Sequence, residues 1–292
     1  MRSNSLRRTL AAGTALGTHG FAAVGLSLAL MAAPGVARAQ TNNYWLGGDG
    51  RWADASEWSE GVPPNSTLDA RVQTGDDIAI DTPDARVGAL WLESAESAPA
   101  RAVVTSGGTL SADYVMIGEL PNQSGELVVD GPGARALVTG YVVLGRNGGD
   151  ATVAVTNGGL IQTGVTQAFG NGGQARLVVD GAQSELRTGL LQLRGSGADP
   201  ALVQIAAGGT VNASTLMLEG DVRISLNDGV LTADDVSVTG GANEIAVTTT
   251  GTLRLDTRIR EFGGTLSLVK MGTGTLQLDW PPPSGPRGLL VH

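Results

Sequence analysis

The chain has 292 residues, of which 44 are glycine, 4% are aromatic and 16% are charged. Such a composition favours a thin core of small aliphatic side chains over the thick core of an ordinary globular domain. Acidic residues exceed basic ones by 28 to 19, and this net charge of −9 argues against nucleic acid or anionic membrane as a partner. Because cysteine is absent, disulfides, thiol catalysis and a lipid-anchored export route are excluded.

Residues 1–39 have the pattern of a secretory signal peptide. Three arginines precede an apolar run from Phe21 to Ala33, and the small-residue sequence Ala37-Arg38-Ala39 follows it. At 13 residues the run is too short for a stable membrane span, so we expect cleavage after Ala39. The alternative is an uncleaved amphipathic anchor. Cleavage would remove four arginines and no acidic residue, so the net charge would change from −9 to −13.

Residues 40–66 combine aromatic side chains with Gly, Asp, Ser and Pro. The aromatic residues are Tyr44, Trp45, Trp52 and Trp58. Since the open end of a solenoid needs a cover, we interpret this stretch as an N-terminal aromatic cap over the first coil. The alternative is a carbohydrate platform, because exposed Trp faces stack on sugars. Residues 68–92 then form a first, imperfect coil.

One short pattern recurs between residues 102 and 220, and it dominates the chain. It starts with two inward-facing apolar residues separated by one position: Ala102/Val104, Leu127/Val129, Val153/Val155, Leu177/Val179 and Val203/Ile205. A Gly-rich or Asp-Gly corner follows, then one apolar residue: Leu110, Leu137, Leu160, Leu186 or Val211. A second alternating pair closes the unit: Val115/Ile117, Val142/Leu144, the weaker Gln167/Phe169, Leu191/Leu193 and Leu216/Leu218.

This pattern predicts an all-β fold, a single-stranded right-handed parallel β-helix over residues 67–278. Alternation with period two indicates strands with one buried face, and a repeat of about 25 residues indicates stacked coils. We expect three very short strands per coil and roughly eight to nine coils, about 40 Å in all at one strand spacing per coil. An antiparallel β-sandwich is the alternative, although it would not repeat its corner residues in register.

The stretch Leu268-Val-Lys-Met-Gly-Thr-Gly-Thr-Leu-Gln-Leu278 closely resembles the passenger-associated repeat of bacterial autotransporters, the type V secretion proteins. The earlier sequence from Trp45 to Pro63 is similar to the start of many such passenger domains. This resemblance implies an exported β-helical passenger at the cell surface, in the outer membrane or in the medium. It also implies a structural or adhesive role, with host or cell-surface ligands or carbohydrate as partners.

Residues 279–292 depart from the family, whose members end in an outer-membrane β-barrel. They show neither the alternation nor the aromatic girdles that barrel strands require. We therefore expect a disordered or frame-shifted tail, a passenger truncated before its translocator, and retention in the periplasm. A separately encoded translocator is the alternative.

Residues suited to catalysis are few. The histidines are His19 and His292, so no Ser/His/Asp relay or histidine metal site can be built within the repeat. Glycoside hydrolysis needs only two carboxylates, but neighbours such as Asp234 and Asp235 point to opposite faces of a strand. The pair Asp76-Asp77 has the same limitation.

Two other aspartates, Asp130 and Asp180, precede corner glycines, where we expect each side chain to cap its own turn. We therefore predict a monomer that is not an enzyme and has no catalytic, cofactor-binding or metal-binding residue. The alternatives are a β-helical polysaccharide lyase or hydrolase, which fold analogy alone supports, and a non-functional remnant.

Overall fold

In a computed structural model that describes residues 41–255, 259–278 and 290–291, the chain winds into a parallel β-solenoid of about nine turns. The predicted signal peptide, residues 1–39, lies outside the described residues, as does most of the predicted tail. The first strands are β1 (Thr41–Tyr44), β2 (Gly50–Arg51), β3 (Leu68–Val72), β4 (Asp77–Ile80), β5 (Ala85–Leu92), β6 (Ala100–Val104), β7 (Thr109–Ile117), β8 (Ser124–Asp130), β9 (Arg135–Leu144), β10 (Asp150–Thr156), β11 (Leu160–Gly170) and β12 (Ala175–Asp180).

The remaining strands are β13 (Glu185–Gly195), β14 (Ala201–Ala206), β15 (Thr210–Glu219), β16 (Val222–Asn227), β17 (Val230–Thr239), β18 (Ala242–Thr248), β19 (Thr252–Leu255), β20 (Ile259–Glu261), β21 (Thr265–Lys270), β22 (Thr275–Leu278) and β23 (Leu290–Val291). A 3₁₀ turn, Ala55–Glu57, is the one helical element among these residues, and none of the described helical structure is long and apolar enough to span a membrane.

Successive strands alternate between two sheets. The first has the order β1-β3-β5-β7-β9-β11-β13-β15-β17-β19-β22, with β20 also paired to β17, and the second has the order β2-β4-β6-β8-β10-β12-β14-β16-β18-β21-β23. Strand pairs within both sheets are parallel, for example β10 with β12 and β11 with β13. The predicted parallel solenoid is therefore confirmed, and the antiparallel sandwich is excluded. Right-handed winding stays a prediction.

Stacked apolar pairs in the second sheet form one wall of the core. Leu127 lies beside Val153, Val153 beside Leu177, and Leu177 beside Val203, with the second member of each pair in the same register. These side chains are at most 3% exposed. The repeat in the sequence thus corresponds to vertical columns of aliphatic side chains, each buried between the coils above and below.

Each coil contains two strands where we expected three. The lone apolar residue and the second alternating pair lie on one long strand of the first sheet, which bends between them. In β11 and β13 the pairing runs to Thr163 and Thr188 and resumes at Val165 and Leu190, so the ladder is interrupted at the glycine between them. A single residue makes this bend, and no separate turn divides the strand.

Four inward residues differ by one position from the prediction. Ala136, Ile161 and the pair Thr166/Ala168 face the core, in place of Leu137, Leu160 and Gln167/Phe169. A shift of one residue moves a side chain to the other face of a sheet. The sequence has two adjacent apolar residues at 136–137 and at 160–161, so period two alone does not distinguish them.

The corners explain why the coils prefer glycine. Before six of the first-sheet strands, a glycine stacks closely on the backbone of the preceding coil, at positions 108, 159, 209, 229, 251 and 274. A Cβ added at Gly159, for example, would lie 2.2 Å from the carbonyl oxygen of Val129.

The Asp130 side chain has a different role from the predicted one. Its Oδ1 accepts hydrogen bonds from Thr156 Oγ1 at 2.6 Å and Asn157 Nδ2 at 2.7 Å, so it links two coils and does not cap its own turn. The Asp130 carboxylate therefore connects one corner of the solenoid to the next by hydrogen bonds. At Asp180 the described hydrogen bond involves the backbone, where Ser184 Oγ donates to the Asp180 carbonyl at 2.6 Å.

The three tryptophans of residues 40–66 are buried. Trp45 and Trp58 meet edge to face with ring centroids 5.0 Å apart, and Trp52 and Trp58 do so at 5.1 Å. Trp58 Nε1 also donates to the Trp52 carbonyl, and all three rings belong to the same apolar core as the coils. Their faces are therefore covered by protein, which leaves no sugar platform at these three rings.

Candidate functional site: a polar groove along the bend

A shallow groove of about 450 Å³ runs across β11, β13, β15 and β17 at the bend of the first sheet. The outward side chains of four adjacent strands form one wall: Gln162 pairs in register with Arg187, Arg187 with Asn212, and Asn212 with Thr232. The bend residues Gly189, Ser214 and Asp234 line it from the other side. We call this feature the bend groove.

Small residues and buried threonines shape the bend groove. A Cβ at Gly189 would lie 2.8 Å from the Gly164 carbonyl oxygen, so glycine keeps the coils close at this point. Beneath it, Thr188 Oγ1 donates to the Leu190 carbonyl at 2.8 Å, and Thr163 Oγ1 donates to the Val165 carbonyl at 3.0 Å. Each buried hydroxyl thus satisfies a carbonyl just past the bend, which explains why threonine occupies an otherwise apolar column.

Glu185 fixes two side chains of the wall. Its Oε1 accepts from Arg187 Nε at 2.6 Å and from Asn212 Nδ2 at 2.8 Å. The hydrogen bond from Arg187 is the main reason that the pKa of the Glu185 carboxyl is lowered, and the bond from Asn212 adds to the effect. The groove therefore presents a positioned guanidinium and a positioned amide.

The carboxylates of Asp234 and Asp235 separate as their sequence spacing implies. Asp234 is exposed in the bend groove, whereas Asp235 lies beyond the bend and forms an ion pair with Arg260. Asp77 pairs with Arg101 at 2.6 Å on the other sheet. Among the residues that line the bend groove, Asp234 is the one carboxylate, and no cluster of three metal-binding side chains occurs within the described ranges.

A second surface feature is an apolar patch on the outer face of the first sheet. Met116, Val143 and Phe169 point away from the core yet are at most 8% exposed, and they pack with Trp91 and Tyr141. The Tyr114 and Tyr141 rings lie 4.5 Å apart, and the Arg71 guanidinium lies 4.3 Å from the Trp91 ring centre. The patch therefore consists of side chains that pack against one another.

Glu93 lies beside this patch and is only 6% exposed. Its Oε2 is 3.3 Å from Arg71 Nη1. Burial raises the pKa of the Glu93 carboxyl, an effect that Arg71 opposes and the nearby Glu119 reinforces. The ion pair therefore does not fully offset the loss of hydration, as is common for buried charges.

Replacing Glu93 by glutamine is expected to raise the melting temperature slightly at pH 7, by about 2 °C. The folded state holds the proton of this carboxyl more tightly than the unfolded chain, so wild-type stability falls as the pH rises from 4.5 through the raised pKa. Below about pH 3 the Glu93 carboxyl is neutral in both the folded and the unfolded chain, so the melting temperatures of wild type and variant should agree. Thermal unfolding of wild type and Glu93→Gln, measured from low pH to pH 7, tests this prediction.

The exposed pair of Asp84 with Arg86 offers a control, since Asp84→Asn should have little effect at any pH. A Glu93→Gln variant that melts below wild type at pH 7 would show that the Arg71 ion pair outweighs the cost of burial.

The fold and the bend groove define this chain as a parallel β-solenoid with a polar outer groove. Comparison with known protein families, curated proteins and solved structures gives no match. Sequence analysis did not identify the bend groove, because its residues are polar and come from four different coils. The 25-residue repeat could have located it, since Gln162, Arg187 and Asn212 occupy the same position in successive units.

Proposed function

We propose that this chain is an exported, autotransporter-like passenger with a structural or adhesive role. The observation that carries the proposal is the coil of β21 and β22, where the passenger-like sequence continues the solenoid. A solenoid of about nine turns is the kind of architecture that the resemblance implies. Its stacked coils also need no disulfides, which suits an exported chain that has no cysteine.

Each distinctive position of this sequence has a physical role in the coil. Leu268 is buried, Leu276 and Leu278 pack against the core, and Lys270 Nζ donates to the Gly272 carbonyl at 3.0 Å across the turn. Gly272 has φ of 72°, which favours glycine, and a Cβ at Gly274 would lie 2.4 Å from the Gly251 carbonyl oxygen. The lysine and both glycines thus serve the turn between two core strands, which supports interpreting the sequence as a passenger-type coil.

Export is tested by expressing the full chain in a Gram-negative bacterium with an epitope inserted after Gly197, in an exposed loop. We expect a mature N-terminus at Gln40 and a chain outside the cytoplasm, and protease added to intact cells distinguishes the surface from the periplasm. In an Ala39→Tyr variant, cleavage should fail, because the site needs small residues. If the wild-type chain remained uncleaved in the cytoplasm, the result would contradict the proposal.

We also propose that the chain is not a hydrolase or lyase. Glycoside hydrolysis normally needs two carboxylates across the scissile bond, whereas the bend groove carries Asp234 alone. Incubation with pectin, other plant and bacterial polysaccharides, and casein is expected to give no product. Reproducible turnover that is lost in Asp234→Asn would favour the polysaccharide-degrading alternative.

A further inference from the structure

We propose that the bend groove binds a linear, uncharged oligosaccharide that lies along the axis of the solenoid. This inference rests on the proposed adhesive role and gives that role a class of ligand. The groove is open at the surface, and its volume of about 450 Å³ falls within the range of small-molecule sites.

The wall chemistry matches sugar hydroxyls, which both donate and accept hydrogen bonds. Gln162 and Asn212 contribute amides, Arg187 a guanidinium, Ser214 and Thr232 hydroxyls, and Asp234 a carboxylate. Together these groups supply donors and acceptors within one groove. Since Glu185 already holds Arg187 and Asn212, little side-chain freedom remains to be lost on binding.

The spacing along the groove favours a repeating ligand. Successive strands stand about 4.8 Å apart, so four strands span roughly 14 Å. Each step presents a new polar side chain from the column Gln162, Arg187, Asn212 and Thr232. This step is close to the length of one sugar unit in an extended glycan, so each of about three units would meet a polar side chain of the column.

Other linear ligands fit this surface less well. A peptide added as a strand needs a free sheet edge, whereas the groove lies on the face of strands that are already paired on both sides. Nucleic acid is disfavoured by the net charge of −9. Arg187 is already paired with Glu185, and Asp234 adds a negative charge to the groove, which disfavours an acidic ligand.

The test uses the exported chain and three probes: cellohexaose, mannohexaose and chitohexaose, each titrated to about 10 mM, a range that covers weak single-site binding. We expect at least one to bind. Arg187→Ala removes a charged donor, and Ser214→Tyr fills the groove, so each should weaken binding by about tenfold or more. Arg223→Ala, an exposed arginine on the other sheet, is the matched control and should bind like wild type.

Two results would overturn the inference: no binding of any probe by a correctly folded chain, or binding that neither Arg187→Ala nor Ser214→Tyr weakens. Circular dichroism of each variant confirms that the fold is intact. Export and signal cleavage are measured separately, so loss of glycan binding in an exported chain refutes only this inference. A chain that stays in the cytoplasm would refute the proposed function whatever its glycan binding.

Discussion

Replacing Val179 by aspartate is expected to abolish the cooperative unfolding transition of the solenoid. Val179 is 0% exposed and stacks between Val155 and Ile205 in the core of the second sheet. A carboxylate there has no cation to pair with in an aliphatic column, and the cost of burying it is about 4 kcal/mol or more. Because each coil is stabilised mainly by its neighbours, a break here weakens the coils on both sides. Thermal unfolding followed by far-UV circular dichroism measures the effect.

Val178 provides a matched control within the same strand. It points to the outer face of the second sheet and is only half-buried, so an aspartate at this position remains in contact with water. Val178→Asp is expected to change stability by less than about 1 kcal/mol. If Val179→Asp melted like the parent chain, the alternation of inward and outward residues in β12 would be wrong.

The sequence was sufficient to predict the second sheet, because inward apolar and outward residues alternate along its strands without interruption. Leu127, Val153, Leu177 and Val203 recur at near-constant spacing, and their register follows directly from that spacing. The first sheet was predicted less well, since its long strands bend at single residues such as Gly164 and Gly189. After such a bend, the alternation of inward and outward side chains is shifted by one residue. For this reason Phe169 was predicted to face inward, although it packs on the outer face.

The candidate site was harder to predict than the fold for a related reason. Buried core positions are mostly apolar, so they recur visibly in the sequence. Outward positions such as Gln162, Arg187 and Asn212 share a position in successive coils but differ in residue type. The aromatic residues of the N-terminal stretch were interpreted as a cap with a sugar platform as the alternative, and Trp45 and Trp58 are buried against each other. In a solenoid, an outward column is found by aligning the coils in register, and residue type alone does not reveal it.

Replacing Gly159 by alanine is expected to destabilise the chain by about 3 kcal/mol, although it adds only one methyl group. The new Cβ would lie 2.2 Å from the Val129 carbonyl oxygen and 3.1 Å from Val129 Cγ1, in the coil stacked against this corner. Neither neighbour can rotate away, because the first belongs to the backbone and the second to a fully buried side chain. Relief would require the two coils to separate at a spacing fixed by their hydrogen bonds.

Gly197→Ala is the matched control for this change. Its added Cβ would meet only a carboxylate oxygen of Asp221, at 3.5 Å, and like Gly159 it does not have the positive φ that favours glycine. Both substitutions restrict the unfolded chain equally, so the difference between their urea midpoints isolates the contact with Val129. Equal midpoints would mean that neighbouring coils can move apart at this corner at no cost. Close stacking would then not explain the recurrence of glycine there.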